Sequence, residues 1–337
     1  MPTTAMDTPP GTTSSGSGPD SRTTVHGLGP SEADAPIPPR TAAAKADDEI
    51  ANLLKIAARI RPQSATVQLG PIEIYGESIF LNGAAGGEQI VYLDFDSRYD
   101  LARRIERARS QGNHVVAERL QENRDRFGVL LADVSGHQLT DTMVAAMLHQ
   151  AFLTGVLYEL DQFGEVTTRL FENLNTRFYK SFAIEKYITM IYGEISRSGT
   201  FRFISAGHPP PLVFSAEFDR FVTIAPDRLV SFFPLGVFPS EDDIDDGKEV
   251  AALQYKPRYT VNEVNLMGAG DVLLLYSDGL SEHSREGETY VPRHLERTMR
   301  EVKHTSARDV FQAIRDQVLA FATRRDDISL VVIKRTR

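Results

Sequence analysis

The sequence predicts an α+β fold, a layered sandwich in which antiparallel strands are flanked by paired helices. Residues 187–195 and 200–204 alternate apolar and polar side chains around a turn at 196–199, which is the pattern of a β-hairpin. Helical patterns come in pairs and do not alternate singly with strands, which argues against a doubly wound parallel sheet. With 337 residues and 41% hydrophobic content, the chain is long enough to bury one sizeable core.

The first 46 residues differ in composition from the rest of the chain. They contain eight of the 18 prolines and neither phenylalanine nor tyrosine. Such a segment buries too little apolar surface to offset the entropy lost on ordering, so we predict a disordered tail over residues 1–46. No window approaches 18 apolar residues, and the N-terminus lacks the basic and apolar regions of a signal peptide. We therefore expect a cytoplasmic protein with no membrane partner.

A helix is predicted between the tail and the main domain. Apolar residues recur at helical spacing, namely Ile50, Leu53, Leu54, Ala57 and Ile60. We interpret residues 47–62 as an amphipathic linker helix. Its apolar face has two candidate partners, the domain that follows or a second copy of the chain, and the second would produce a homodimer.

The remaining elements are predicted from periodicity and turn residues. A strand over 67–74 is interrupted at Gly70-Pro71, and another runs over 90–95. Residues 96–126 are rich in arginine and glutamate, and Gly112-Asn113 divides them into two short helices. Further patterns predict a buried helix over 140–160, a helix after Gly164, a strand over 271–277, a helix near 292–302, a helix capped at Ser306 and a last strand over 328–334.

Three strand-like apolar runs have carboxylates at their ends. Asp133 follows Leu130 to Ala132, Asp278 follows the run over 272–277, and Asp326 precedes the run over 328–333. An unpaired carboxylate buried beside a core strand costs several kcal/mol, so each must be solvated, hydrogen-bonded or bound to a cation. Three such positions indicate one shared site.

Composition limits the chemistry of that site. The net charge is −9, with 46 acidic and 37 basic residues, which argues against nucleic acid as a partner. The chain has no cysteine, so disulfides, thiolate metal sites and cysteine nucleophiles are excluded. Oxygen ligands such as carboxylates suit Mg²⁺ and Mn²⁺.

Five short motifs occur in an order that resembles a known enzyme class. They are Asp133-Val134-Ser135-Gly136-His137, Ser205 to Pro211, Pro234-Leu235-Gly236, Tyr276 to Leu280 with Glu282, and Asp326-Asp327-Ile328-Ser329. Together they resemble the metal-dependent serine/threonine protein phosphatases of the PPM class, in particular the bacterial SpoIIE/RsbU-like branch. The resemblance covers roughly residues 65–335, within a phosphatase domain that we place at 63–337.

The resemblance implies an antiparallel β-sandwich flanked by helix pairs, with two Mn²⁺ or Mg²⁺ ions in a cleft at one edge. It implies that Asp133 bridges both ions, that the Val134 carbonyl adds a ligand, and that Asp278 and Asp326 complete one ion's shell. These three aspartates are the implied catalytic residues. The family's first acid falls at a Gly-Gly-Asp turn, where this chain has Glu88. The resemblance also makes 96–126 an insertion, which we expect near the site entrance in a regulatory role.

The implied function is hydrolysis of phosphoserine or phosphothreonine on a protein partner by direct attack of a water activated between the two ions. In this branch the usual substrates are phosphorylated anti-sigma-factor antagonists. Two alternatives stay open at this point. The chain departs from the family at Glu88 and at Gln138, where the family has glycine after the Gly-His pair, and these departures suggest a catalytically weak homologue that works by binding a partner. The same metals would also serve a hydrolase of small phosphoesters. Neither His137 nor His208 is assigned as the general acid.

Overall fold

The computed structural model describes residues 42–60, 66–81, 86–136, 139–181, 186–241, 255–266 and 268–337. The helices are α1 (Ala42–Arg59), α2 (Phe95–Arg98), α3 (Leu101–Ser110), α4 (His114–Glu122), α5 (Leu139–Phe163), α6 (Thr168–Ser181), α7 (Asp278–Ser281), α8 (Arg293–Val302) and α9 (Ala307–Phe321). The strands are β1 (Val67–Leu69), β2 (Ile72–Ile79), β3 (Glu88–Asp94), β4 (Arg126–Val134), β5 (Ile188–Ser196), β6 (Thr200–Ala206), β7 (Leu212–Ser215), β8 (Arg220–Val222), β9 (Ser231–Phe232), β10 (Asn262–Asn265), β11 (Val272–Tyr276), β12 (Ser284–Arg285), β13 (Glu288–Thr289) and β14 (Ile328–Arg335).

Most of the strands form two sheets. The first sheet has the order β1-β2-β14-β11-β7-β8, and the second has the order β10-β6-β5-β4-β3. All neighbours along these two orders are antiparallel, and β9 adds a short parallel pair to β6. Antiparallel pairing of the neighbours along both strand orders confirms the predicted α+β class.

Three apolar clusters show how the layers pack. One cluster lies between the two sheets and includes Val129, Leu131 and Val331. A second joins the outer face of the second sheet to α3, α4, α5 and α6, and a third joins the outer face of the first sheet to α8 and α9. The order of layers is therefore helix, sheet, sheet, helix, as the sequence predicts.

Local signals account for several element boundaries. The Ser306 hydroxyl accepts a hydrogen bond from the Asp309 amide at 3.2 Å and caps α9, as predicted. The predicted break at Gly70-Pro71 is the turn of a hairpin between β1 and β2, and Gly70 has φ 58° there. Because this backbone conformation strains residues with a Cβ, glycine marks the turn in the sequence.

The helical segment 96–126 lies at the end of the second sheet that is opposite the predicted acids. The register pairs Glu88 with Asp133, whereas β4 begins at Arg126. Because β3 and β4 are antiparallel, their connection leaves the sheet about 23 Å along β4 from Asp133, at roughly 3.3 Å per residue. There the Asn123 side chain donates a hydrogen bond to the Gly164 carbonyl at 2.8 Å, beside the end of α5. The expectation that this segment lies near the site entrance is therefore wrong.

The linker helix begins earlier than the sequence predicts. α1 covers Ala42–Arg59, so residues 42–46 of the predicted tail are helical. Alanine at 42, 43 and 44 favours helix strongly. The prediction assigns these residues to the tail because it uses the average composition of residues 1–46. Ile50 and Ile56 on this helix are exposed. Residues 1–41 lie outside the described part of the chain, and the division into tail, linker and domain stays a prediction.

The long helix α5 is the most apolar helix of the second sheet's outer layer. By length and composition alone, Thr140–Phe163 could cross a membrane, so the expectation that no segment is long and apolar enough is wrong for this helix. In the fold, Leu148, Phe152 and Val156 are completely buried against the sheet, whereas Met143 and Met147 are exposed. Burial in the core accounts for the apolar residues on the face of α5 that packs against the sheet.

Candidate metal centre

The second sheet carries two of the predicted acids. Glu88 begins β3 and Asp133 lies one residue before the end of β4, directly opposite Glu88 in the antiparallel register. Ile90 and Leu131 on the same strands belong to the core between the sheets. Because side chains alternate between faces with a period of two, Glu88 and Asp133 also face the first sheet, at the edge of the sandwich.

Glu88 is buried and connects the two sheets. Its side chain is 4% exposed, and its carboxylate accepts a hydrogen bond from the Ser329 hydroxyl on β14. Burial raises the pKa of Glu88, and hydrogen bonds from Ser277 and Ser329 oppose this rise. The neighbouring charges of Asp327 and Asp326 raise the pKa further. Glu88 therefore lies within reach of four residues of the first sheet and its loops.

Asp278 is placed by the end of β11. The Ser277 amide donates to the Ser329 carbonyl at 3.0 Å, and the Ser329 amide donates to the Ser277 hydroxyl at 2.9 Å. Asp278 then begins α7, and its Oδ1 is buried with no hydrogen-bond partner among the described residues. A buried oxygen without a partner costs free energy, so a donor or cation fits at this point.

Two further aspartates precede β14. Asp326 accepts a hydrogen bond from the Asp327 amide at 2.7 Å. Asp327 is 6% exposed, and its Oδ1 accepts a hydrogen bond from the Leu81 amide at 2.6 Å. Its other carboxylate oxygen lies so close to Gly86 that an added Cβ would be 1.8 Å away, which only glycine avoids. These contacts hold Asp327 against the segment before β3.

Asp133 lies among the other acids. Burial is the largest cause that raises the pKa of Asp133. The charges of four carboxylates add to this rise, those of Glu88, Asp278, Asp326 and Asp327. The fold thus brings the four predicted carboxylate ligands together from both sheets, although the sequence separates them widely.

Val134 is the remaining predicted ligand, through its carbonyl oxygen. Its amide donates a hydrogen bond to the Gly87 carbonyl at 3.3 Å, beside Glu88. Its side chain is buried in the cluster under the helices, on the face of the sheet away from the acids. Only the backbone of Val134 is therefore available to the site.

Residues 123–336 match the protein family described as stage II sporulation protein E (SpoIIE). This match spans more than half of the 337 residues. The chain belongs to the SpoIIE family. Asp133, Asp278 and Asp326 lie inside the matched region, whereas Glu88 lies before it.

Relatives of this SpoIIE-family chain include the phosphoserine phosphatase RsbU of Bacillus subtilis, which is 23% identical over 217 residues. The alignment covers 64% of this chain and 57% of RsbU, so the chain spans little more than half of that relative's length.

Solved structures of low sequence identity share the fold. The RsbU and RsbW domains of a Mycobacterium tuberculosis protein match with a TM-score of 0.55 at 22% identity, over 81% of this chain and 63% of that one. The SiaA-PP2C domain of Pseudomonas aeruginosa matches with a TM-score of 0.56 at 14% identity, over 87% of this chain and 98% of that domain. These likenesses agree with the sandwich described above.

The donors in this SpoIIE-family site fit a hard divalent cation by their chemistry. Carboxylate and carbonyl oxygens are the ligands that Mg²⁺ and Mn²⁺ prefer. Positive charge would satisfy the buried Asp278 oxygen and reduce the repulsion that raises the pKa of Asp133. In the described part of the chain, no three histidine, aspartate or glutamate side chains are arranged to hold an ion as they stand. Side-chain rotations would therefore have to complete the ligand set.

We expect the metal-free protein to be most stable at mildly acidic pH. The pKa values of Glu88 and Asp133 are raised in the folded state, so both hold protons that the unfolded chain releases above about pH 4. Stability falls with rising pH wherever the folded state binds more protons than the unfolded state. The melting temperature in a chelator should therefore fall between about pH 5 and about pH 9, and Asp133→Asn should flatten this profile. A parent profile that stays level over this range in calorimetry would contradict the expectation.

Ser277 and Ser329 stand inside two of the sequence motifs, but the sequence assigns neither of them a role, and the structure places both against Glu88. A signal for Ser329 exists, because it is the one hydroxyl residue in the apolar run over 328–333. Ser277 stands directly before Asp278 at the end of a similar run. Local periodicity marks both residues as polar exceptions in core strands, but their shared partner lies on the other sheet.

His208 is one of the two histidines considered as general acids, and the structure shows its environment. His208 is 4% exposed, its Nδ1 lies 3.1 Å from the Thr189 hydroxyl, and burial lowers its pKa to about 3. A buried and neutral imidazole fits a structural role and does not fit proton donation to a leaving group. His137 lies outside the described residues, as does Gln138.

Proposed function

We propose that this SpoIIE-family chain is a metal-dependent protein phosphatase that hydrolyses phosphoserine or phosphothreonine. The observation that carries the proposal is the group of carboxylates from both sheets around Asp133, with a buried oxygen of Asp278 that has no partner among the described residues. Glu88, Asp133, Asp278 and Asp326 would hold two Mn²⁺ or Mg²⁺ ions, with the Val134 carbonyl. The charges of four acids and two divalent ions would then balance.

The chain's own residues would orient the site. When bound, the ions supply positive charge for the phosphoryl oxygens and activate water for attack. The Ser329 hydroxyl holds the Glu88 carboxylate. Two hydrogen bonds join Ser277 to Ser329, one through the Ser277 amide and one through its hydroxyl, and they fix the chain between β11 and Asp278. Because the chain has no cysteine, no thiol nucleophile is available. A water activated by the ions would attack the phosphoryl group directly and would need no phosphoenzyme.

The proposed substrate is a phosphorylated protein of the kind that anti-sigma-factor antagonists represent. Similarity to a protein named phosphoserine phosphatase supports this class of substrate. The net charge of −9 is unfavourable for binding nucleic acid, and we place the protein in the cytoplasm without a membrane partner.

Turnover of an aryl phosphate in manganese tests the proposal. We expect hydrolysis that depends on the metal, and a faster rate on a phosphoserine protein than on small phosphates at equal concentration. Faster turnover of small phosphoesters or nucleotides would favour the two-metal hydrolase of small molecules. No turnover on any substrate would overturn the proposed activity.

A catalytically weak homologue that binds a partner is the second candidate. The carboxylate of Glu88 already accepts a hydrogen bond from Ser329, and in the described residues the acids are not arranged to hold an ion as they stand. Binding of an unphosphorylated partner without turnover in manganese or magnesium would favour this candidate.

Truncations test the proposed role of the linker helix. Removing residues 1–41 should leave the oligomeric state and turnover unchanged, because this removes only the part of the predicted tail that precedes α1. Removing residues 1–58 should alter self-association or regulation, because it removes Ile50 and Ile56, whose side chains are exposed. The second truncation keeps Ile60, whose carbonyl accepts a hydrogen bond from the buried Gln89 side chain at 3.2 Å. Light scattering measures the oligomeric state, and a turnover assay measures activity. The same oligomeric state and the same turnover for both truncations would remove the role proposed for α1.

A further inference from the structure

We propose that the ion pair between Lys186 and Asp141 positions the turn after Asp133 and thereby the Val134 carbonyl. The inference rests on the proposed function, because it assigns positioning residues to the same metal site. Lys186 lies just before β5 and Asp141 lies in the first turn of α5. Neither belongs to the motifs that predict the site.

Lys186 contacts both sides of the turn. Its Nζ lies 2.7 Å from Asp141 Oδ1 and donates a hydrogen bond to the Ser135 carbonyl at 3.0 Å. Ser135 directly follows Val134. The ammonium group therefore joins the segment that leaves β4 to the first turn of the helix that follows it.

Ser135 is also held by the residue after Lys186. The Ser135 amide donates to the Tyr187 carbonyl at 3.0 Å, and the Tyr187 amide donates to the Ser135 hydroxyl at 3.1 Å. Together with Lys186, these contacts use the amide, the hydroxyl and the carbonyl of Ser135. A turn held at all three groups has little freedom to displace the adjacent Val134 carbonyl.

Gly136 shows how closely the ion pair packs on this turn. A Cβ at Gly136 would lie 2.6 Å from Asp141 Oδ2 and 2.8 Å from Lys186 Nζ. Its φ of 116° is also one that glycine adopts without strain. The turn therefore passes directly over the two charged groups.

Burial makes the pair sensitive to the loss of one partner. The Asp141 side chain is 0% exposed and that of Lys186 is 31% exposed. Removing only the lysine would leave a buried carboxylate without its cation, and such changes destabilise a fold strongly. Replacing both charges with neutral groups of similar size is often tolerated. The double variant therefore separates positioning from folding.

The test compares Lys186→Met/Asp141→Asn with the parent by calorimetric titration of manganese without substrate. Residues that orient metal ligands contribute about 10–100-fold to metal affinity, so we expect the double variant to weaken the Kd for manganese by at least about tenfold. Lys186→Arg keeps the charge and should recover most of this loss. Thermal melting in a chelator should show the double variant folded near the parent's melting temperature.

Lys303→Met is the matched control. The Lys303 Nζ also contacts one carboxylate, Asp219 at 2.8 Å, and one carbonyl, Ala216 at 3.4 Å, but its partners belong to the loop between β7 and β8. We expect its manganese affinity to equal that of the parent. Equal manganese affinity for the parent and the double variant would overturn the positioning role of the ion pair but not the proposed function. An equal loss of manganese affinity in the double variant and in Lys303→Met would do the same. A parent that binds no manganese would overturn the proposed function and this inference with it.

Discussion

Asp133→Asn and Asp278→Asn should each reduce manganese-dependent phosphate release by more than about 100-fold, beyond the loss typical of residues that only orient metal ligands. Asparagine keeps the size of each side chain but removes the negative charge that a divalent ion requires. Both residues belong to the carboxylate group at the edge of the sandwich, and Asp278 has the buried oxygen without a described partner. Release of phosphate from an aryl phosphate over a manganese titration measures the effect.

Asp133→Asn should not lower the stability of the metal-free protein, although it removes activity. Asp133 lies half-buried among four other carboxylates, and its raised pKa means that the charged form is unfavourable there. Asparagine cannot take up that charge, so it avoids this penalty when no cation is present. We expect the melting temperature of Asp133→Asn in a chelator to equal or exceed that of the parent. Loss of activity with retained stability would distinguish a ligand from a residue that only maintains the fold.

Asp271→Asn is the control for these variants. Asp271 lies just before β11, whereas Asp278 lies just after it. The Asp271 side chain is 6% exposed. Its carboxylate accepts hydrogen bonds from the Ala216 amide at 2.9 Å and the Gly268 amide at 2.8 Å. This variant should lose stability and keep its response to manganese. Near-normal turnover of either Asp133→Asn or Asp278→Asn would show that the assignment of ligands is wrong.

Glu88→Ala should have the second large effect, a strong loss of turnover in both manganese and magnesium. Glu88 lies opposite Asp133 and supplies the carboxylate where the resembling family has aspartate. Alanine would also remove one of the two partners of the buried Ser329 hydroxyl and leave only the Ser78 hydroxyl. Turnover over titrations of each metal measures the loss.

Glu88→Asp should change the relative turnover in manganese and magnesium. Shortening the side chain by one methylene withdraws the carboxylate by roughly 1.5 Å, the length of one carbon–carbon bond. Magnesium requires near-ideal octahedral geometry at about 2.0–2.1 Å, whereas the larger manganese ion should accept the longer glutamate. We therefore expect the parent to prefer manganese and Glu88→Asp to narrow that preference.

Ser329→Ala separates the two roles of Glu88. It removes the hydroxyl that orients the carboxylate but keeps the carboxylate itself, so it should weaken metal use less than Glu88→Ala does. If Glu88→Ala matched the parent in both metals, Glu88 would be only a strand residue, and another group would have to hold the second ion.

Elements with strong local signals are predicted well from the sequence. The hairpin of β5 and β6 follows from alternation and its short turn, and the start of α9 follows from the Ser306 cap. The short strands β7, β8 and β10 have three or four residues each, and β8 and β10 are partly polar, so alternation does not identify them. These strands lie at or near sheet edges, where pairing with a neighbour decides the conformation.

The segment 96–126 shows a different limit. Its two helices and the break between them are predicted correctly, because Gly112-Asn113 is a local signal. Its position in space is wrong, because that depends on the direction of the strands on either side. Antiparallel pairing of β3 with β4 places the segment at the end far from Asp133.

The sequence by itself determined the chemistry available to this protein: oxygen ligands, no thiol, and carboxylates at the ends of apolar strands. It also determined the order of motifs by which the chain resembles its family. Only the tertiary structure decided which of these groups meet, because Ser329 and Glu88 are 241 residues apart and lie on different sheets. Local periodicity assigns a side chain to one face of a strand, but the register and packing of the sheets choose the neighbours on that face. The contacts of Lys186 with Asp141 and Ser135 arise in the same way, from packing that no local pattern encodes.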